Sequence, residues 1–319
     1  MPSLKPGALR PGDRVAIVAP ASPFSRDEFD GGLAQLRALG YVPEFDETIF
    51  DRRRYLAGDP ASRARSFLRA WQDPGIRAVF TARGGYGSAQ LLPFLPCHLL
   101  RATPTLLVGY SDITSLLSVI TTRCGMVALH GPTVTGRLGR GEAAYDRISL
   151  VHAMTSTTPL GALSPPGLET IVDGEASGLL FGGNLTQISA SLGTPWAFDP
   201  PEGAVLFVED VNERPYRLDR LLTQLRHAGI LNRASALVFG DMPGCDEPGG
   251  EMTAREVVGD LVRDFAGPVL WGFPSGHTGS AAITLPLGVQ ARVVAGASPA
   301  LIIEEAAVTD ACAIEHSRG

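Results

Sequence analysis

The stretch Gly109-Tyr110-Ser111-Asp112-Ile113-Thr114 follows the apolar run Pro104–Val108 and precedes the apolar-periodic residues Ser115–Ile120. A serine at such a strand-to-helix turn has two uses. Its hydroxyl can accept a bond from an unpaired N–H of the first helical turn, as a capping serine does. Alternatively it is held out at the sheet edge as a nucleophile, with the amide of the next residue, Asp112, aimed at the oxyanion formed in acyl transfer. The second glycine of G-x-S-x-G is missing, because Ile113 stands in its place.

A serine hydroxyl is a weak nucleophile at neutral pH and requires an adjacent base, usually a histidine oriented by a third polar group. Of the 6 histidines, His98 and His152 lie outside any site-like loop, His227 closes a surface helix, and His316 belongs to a polar tail. His130 in Leu129-His-Gly-Pro132 follows an apolar strand, where a hydrogen-bonded structural role is common. His277 sits in Gly272-Phe-Pro-Ser-Gly-His-Thr-Gly-Ser280, among glycines and prolines that leave it little core to join. Loops of this kind expose catalytic groups, so His277 is preferred to His130 as the base. The orienting carboxylate is expected in Ala204–Arg220. Glu209 and Asp210 end an apolar strand there, and alternation turns them to opposite faces. Spacing does not separate the two. Glu213, Arg214, Arg217 and Asp219 read as a solvated ion-pair face.

Arg83-Gly84-Gly85-Tyr86-Gly87 is either a plain turn or a loop whose glycines let backbone N–H groups approach a ligand, with Arg83 pairing to a carboxylate. It matches neither G-x-G-x-x-G nor the phosphate-loop pattern. No H-E-x-x-H or comparable spacing suggests a metal site, and no cofactor is expected.

These loops need strands to carry them. Arg14–Pro20, Tyr41–Phe45, Ile76–Ala82 and Thr105–Tyr110 read as buried strands, interleaved with helical periodicity over Asp27–Leu39, Pro60–Trp71, Ser88–Leu95 and Thr114–Thr122. Such alternation builds a mostly parallel, doubly wound sheet with its ligand loops at the carboxyl ends of the strands. Ala19–Ser22, Arg83–Gly87 and Gly109–Asp112 should then share one rim. Beyond Arg137 the alternation weakens, and Ser156–Leu168, rich in Ser, Thr, Pro and Gly, reads as a linker. A β-rich second half follows, with helices expected at Asn184–Leu192 and Tyr216–Ala228. The division is 1–150 for an α/β domain, 151–170 for a linker and 171–319 for a β-rich domain.

A length of 319 residues accommodates two such domains, and a net charge of −6, with Asp51-Arg52-Arg53-Arg54 as its one charge block and that reading as a solvated loop, offers nothing to nucleic acid. No apolar run approaches the roughly 18 residues a membrane helix requires. The N-terminal apolar run is too short for a signal peptide. The 4 cysteines are widely spaced, which suggests reduced thiols and a cytoplasmic location.

Six segments taken in order resemble the serine LD-carboxypeptidases, a family that includes the murein tetrapeptide carboxypeptidases. They are ARGGYGSAQLL, LVGYSDITSLL, LHGPTV, FGGNLTQISASLGT, LFVEDVNERPYRLDRLLTQL and GFPSGHT with LPLGV. The resemblance covers essentially the whole chain. It implies Ser111 as nucleophile, His277 as base and Glu209 rather than Asp210 as the orienting carboxylate. It also implies an α/β domain joined to a β-rich one with the site between them, and usually a homodimer. The implied reaction releases terminal D-Ala from the L-centred diamino acid of a cytoplasmic muropeptide. The amides of Asp112 and Gly85 would hold the oxyanion, and Arg83, Gly84, Tyr86 and Asn184 are candidates to bind the substrate.

Two rivals remain at this level. Microcin-immunity peptidases of the same family cleave acyl-adenylate or acyl-sulfamoyl conjugates and need an aromatic platform for the base, for which Trp196 is the candidate. A non-catalytic peptide or muropeptide binder would use the same cleft but would need no nucleophile.

Overall fold

The computed structural model describes residues 3–310, so Cys312 and His316 lie outside the described residues. The first half runs β1 (Arg14–Val18), α1 (Arg26–Ala38), β2 (Val42–Glu44), α2 (Pro60–Gln72), β3 (Ile76–Thr81), α3 (Cys97–Ala102), β4 (Leu106–Gly109), α4 (Thr114–Ser118), β5 (Ala128–His130) and α5 (Arg147–Thr155). The second half continues with β6 (Gly161–Leu163), β7 (Glu169–Val172), β8 (Gly174–Asn184), α6 (Leu185–Ser191), β9 (Ala204–Glu209), α7 (Pro215–His227), α8 (Ile230–Arg233), β10 (Ala234–Gly240), α9 (Ala254–Leu261), β11 (Val269–Phe273), β12 (Leu285–Leu287), β13 (Gln290–Ala295) and β14 (Ala300–Ile303).

The first sheet has the order β12-β5-β4-β3-β1-β2, parallel throughout except for the antiparallel edge strand β12. Strands β3 and β4 are buried along nearly their whole length, as expected where helices cover both faces. Helix α1 turns Phe29, Leu33 and Leu36 inward. Helix α2 begins where Asp59 accepts the amide of Ser62 and Pro60 occupies a position that needs no N–H.

The second sheet has the order β6-β14-β13-β8-β9-β10-β11-β7, with β8 to β11 parallel and antiparallel strands outside them. Its alternation separates two cores. Val205, Phe207, Val238 and Leu270 join the core of the first sheet, whereas Leu206, Val208, Leu237 and Phe239 form a second cluster that includes Leu185 of α6, Leu218 and Leu222 of α7 and Val258 of α9.

Four expectations need correction. The stretch read as a linker contributes an edge strand, β6, which pairs with β14, and β7, beginning at Glu169, pairs with β11. Nor do the halves separate at 150, because β12 comes from the second half and lies against β5, Leu285 opposite His130. The helix expected over Thr114–Thr122 keeps α geometry only to Ser118 and then widens into a π turn, Val119–Arg123. There the hydroxyls of Thr121 and Thr122 donate to the carbonyls of Leu117 (2.8 Å) and Ser118 (2.7 Å), competing with the ordinary ladder. Finally, Cys97 and Cys124 are joined by a disulfide with Cα atoms 5.1 Å apart, while Cys245 is free and buried. The pairing arises because α3 packs against the π turn, a contact that sequence spacing does not reveal. The case for a reducing compartment loses its support from the cysteines.

Candidate active site

Strands β1, β3 and β4 are neighbours, so their C-terminal loops meet at one rim. The Ser22 amide donates to the Gly84 carbonyl (3.2 Å), and the Ser22 hydroxyl accepts the Tyr86 amide (3.1 Å). Asp112 fastens the third loop to these two. Its carboxylate accepts the amides of Gly87 (3.2 Å) and Ser88 (2.8 Å), while its carbonyl accepts the Ser88 hydroxyl (2.5 Å). Asp112 therefore acts through its side chain as the pin that shapes the glycine loop.

Ser111 is not at a cap position: Tyr110 precedes the 3₁₀ turn Ser111–Ile113 and Ile113 precedes α4, while the Ser111 backbone lies in the left-handed region at φ +65°. A non-glycine residue there is strained, and such strain is characteristic of a side chain held at a sharp turn for function. Gly84 faces it closely. A Cβ on Gly84 would lie 2.9 Å from Ser111 Cβ, 3.1 Å from its Oγ and 3.4 Å from the Asp112 amide nitrogen.

On the other side of the cleft, His277 Nδ1 is 2.7 Å from Glu209 Oε2, and the same oxygen accepts the His277 amide at 2.9 Å. Glu209 has the same parity along β9 as Val205 and Phe207 and ends fully buried beneath the His277 loop. Asp210 has the opposite parity. It accepts the Asn184 side-chain amide (3.0 Å), the Thr186 amide and hydroxyl (2.8 Å each) and the Val211 amide (2.8 Å). Asp210 is thus tied to the start of α6, and Glu209 is left to His277. Burial alone pushes the Glu209 carboxyl upward, but the facing imidazole offsets this and holds it below its ordinary value. Burial likewise pulls His277 down, and Glu209 more than offsets it, leaving the imidazole above its ordinary value.

The loop carrying His277 is held by Arg137, which sequence reasoning did not single out. Its buried guanidinium donates to the carbonyls of Gly276 (2.8 Å) and Thr278 (2.7 Å), on either side of His277, and to those of Ala144 and Ser280 (3.2 Å each). Thr278 is anchored in turn by a hydroxyl bond to Asp241. No sequence pattern marks Arg137, because its partners are backbone carbonyls of a loop about 140 residues away.

Ser111 and His277 line one cleft of about 410 Å³, together with Arg83, Gly84, Gly85, Tyr110, Arg137, Arg140 and Glu28. Its ionic lining is three guanidinium groups against one carboxylate. Arg83 also donates to the Pro23 carbonyl (3.0 Å), whereas the Arg140 guanidinium has no hydrogen-bond or ion-pair partner among the described residues. Two expected substrate residues do not line this cleft. Tyr86 points out and packs edge-on against Tyr55 at 5.6 Å. Asn184 is buried and spent on capping α6 and bonding Asp210. His130 is fully buried, does not line the cleft and bonds the Ser275 hydroxyl through Nδ1 at 3.0 Å. Trp196 lines a second, largely apolar hollow of about 450 Å³ with Gln90, Ser115 and Gln187, which shares no lining residue with the cleft. Among the described residues, no group of three or more His, Cys, Asp or Glu is placed to hold a metal ion.

Comparison with known proteins adds the following. The LD-carboxypeptidase N-terminal domain matches residues 15–131, and the LD-carboxypeptidase C-terminal domain matches residues 177–293. The murein tetrapeptide carboxypeptidase of Pseudomonas aeruginosa is 34% identical over 270 residues, covering 83% of this chain and 88% of that protein. The crystal structure of muramoyltetrapeptide carboxypeptidase from Oxalobacter formigenes superposes with a TM-score of 0.81 at 29% identity, over 93% of this chain and 100% of that one. The microcin C7 self-immunity protein MccF, solved in complex with aspartyl sulfamoyl adenosine, superposes with a TM-score of 0.89 over 96% and 100% of the two chains. At 24% identity the last likeness concerns the fold alone.

Proposed function

Since this chain belongs to the LD-carboxypeptidase family, and is thereby a carboxypeptidase, we propose that it hydrolyses the amide between the L-centred diamino acid of a muropeptide and its terminal D-Ala, in the cytoplasm, through Ser111, His277 and Glu209. The observation that carries this reading is the meeting, on one cleft, of a serine in a left-handed backbone conformation and a histidine held at 2.7 Å by a buried carboxylate.

In the proposed sequence, His277 Nε2 accepts the Ser111 proton as Oγ attacks the carbonyl carbon of the diamino acid. The resulting oxyanion is held by the Asp112 amide and by an amide of the Gly84-Gly85 turn. Donors of this kind are worth about 3 kcal/mol each in comparable hydrolases. The C–N bond then breaks, and the D-Ala nitrogen leaves with the proton returned by His277. Water, deprotonated by the same imidazole, cleaves the acyl-enzyme and restores Ser111. Glu209 keeps Nδ1 protonated and stabilises the imidazolium that forms twice in the cycle. The cationic lining suits an anionic peptide end, and the unpaired guanidinium of Arg140 joins Arg83 as a group to bind the D-Ala carboxylate.

Incubation with a disaccharide tetrapeptide should release free D-Ala detectable by mass spectrometry, and Ser111→Ala should abolish the release. Turnover that survived this substitution would overturn the mechanism. The fold likeness to MccF keeps an acyl-sulfamoyl adenosine substrate as the second reading. The hollow containing Trp196 is separate from the Ser111 cleft, which favours the muropeptide, and cleavage of aspartyl sulfamoyl adenosine at a comparable rate would reverse that order.

A further inference from the structure

Among the described residues, two buried polar atoms beside the His277–Glu209 pair find no hydrogen-bond partner in the protein: Glu209 Oε1 and His130 Nε2. Both side chains are fully buried. The two side chains approach each other beside residue 276, where only glycine fits: a Cβ there would lie 2.7 Å from His130 Cε1, the ring carbon between the two nitrogens, 2.8 Å from the Glu209 carboxyl carbon and 2.9 Å from its Oε2. An unpaired buried acceptor beside an unpaired buried ring nitrogen costs more than either would when joined.

The Ser275 hydroxyl can serve either tautomer, and the buried Glu209 Oε1 acceptor favours the one with its proton on Nε2. The other ring nitrogen of His130, Nδ1, is 3.0 Å from the Ser275 hydroxyl. That hydroxyl can donate, which leaves Nδ1 as acceptor and puts the ring proton on Nε2. Burial pulls the His130 pKa down to about 4, so the ring stays neutral at working pH. The charged or titratable groups around it are Glu209 from the end of β9, His277 in the loop between β11 and β12, Tyr110 after β4, its ring 6.2 Å away, and Arg137, which reaches from the segment between β5 and α5 to the Gly276 carbonyl. Asp210 turns away to Asn184 and Thr186.

We propose that His130 is a positioning residue for the triad: its neutral imidazole accepts the Ser275 hydroxyl at Nδ1 and donates Nε2–H toward Glu209 Oε1 through one enclosed water. The link holds the carboxylate in plane with His277 by its second oxygen and withdraws part of its charge. It also ties the loop just before His277 to β5. The inference rests on the proposed roles of Glu209 and His277.

The test separates the two. In the unliganded wild-type enzyme, ¹⁵N NMR should find His130 as the neutral Nε2–H tautomer between pH 5 and 9. An Nδ1–H tautomer, or titration within that range, would overturn the proposal whatever the substrate. His130→Phe removes the donor, so Glu209 presses its full charge on His277. The acid limb of kcat/KM should then rise by about 0.5–1 pH unit, with kcat falling about 10-fold or more. His130→Gln restores an N–H and should recover most of both. A folded His130→Phe enzyme with the wild-type pH profile, or a His130→Gln enzyme no better than it, would also overturn the link. If His130→Phe does not fold, the tautomer measurement decides alone. Failure of the wild type to release D-Ala would refute the proposed function and leave the tautomer result standing.

Discussion

The left-handed backbone of Ser111 costs about 1–2 kcal/mol relative to a relaxed residue, and only glycine avoids that cost. Removing the proposed nucleophile by two routes should therefore give two stabilities. Ser111→Ala retains the strain and Ser111→Gly releases it, so the glycine variant should unfold about 1 kcal/mol later in urea. Neither should release D-Ala. Equal midpoints would mean that the turn is relaxed. The pH dependence also belongs at this scale. In the proposed mechanism His277 must be neutral to accept the Ser111 proton, and its facing carboxylate holds its pKa above the ordinary imidazole value. Since protonation inactivates the base, kcat/KM should fall as pH drops through a value above about 6.5, the ordinary imidazole pKa. An acid limb centred below that would contradict the His277–Glu209 pairing. Glu209 and Asp210 illustrate how far single residues can be read. Alternation shows that they face opposite ways, but the partners that decide between them, Asn184 and Thr186 on one side and His277 on the other, come from distant segments.

Among the elements, the three loops at the rim behave as one unit because Asp112 and Ser22 fasten the glycine loop from both sides. Gly84 is the narrowest point of that unit. Gly84→Ala would place a methyl group 3.1 Å from Ser111 Oγ, in space the tetrahedral intermediate requires. It should lower kcat/KM at least 100-fold, a loss comparable to that of one oxyanion donor, and, with the methyl 2.9 Å from Ser111 Cβ, it should also lower the unfolding midpoint. Near-normal turnover would show that the substrate carbonyl enters elsewhere. Most elements of the first sheet were legible, because strands buried on both faces read as continuous apolar runs and helices such as α1 carry a clear stripe. Helix α9 was missed although it had a signal. Thr253 and Glu256 form a capping box just ahead of it, within a stretch otherwise read as turns and strands. The edge strand β6 had none, since its three residues gain strand character only by pairing with β14.

For the molecule as a whole, the order of the two halves was readable and their interlocking was not. The Thr114 hydroxyl at the start of α4 accepts the amide of Asn184 at 2.9 Å, and Ser115 bonds Gln187 at 3.1 Å. Gly183 makes this approach possible, because a Cβ there would lie 2.6 Å from the Thr114 hydroxyl. Such contacts join residues about 70 apart in sequence and leave no local pattern. The strand β12 has a further consequence. The loop bearing His277 leaves β11 in the second sheet and arrives at β12 in the first. The proposed base therefore rides on one of the crossings that staple one half to the other, since the chain passes between the sheets at β5–β6, β11–β12 and β12–β13. An opening that swung the halves apart would drag the base from the nucleophile and peel an edge strand from its sheet in the same motion. Catalytic competence should then serve as a gauge of global integrity. In a urea titration, loss of D-Ala release should track the loss of far-ultraviolet circular dichroism, with no inactive but folded plateau between them. An inactive plateau at low urea would reveal a hinge; coincident curves would mean that this enzyme keeps its triad assembled by the same cohesion that keeps it folded.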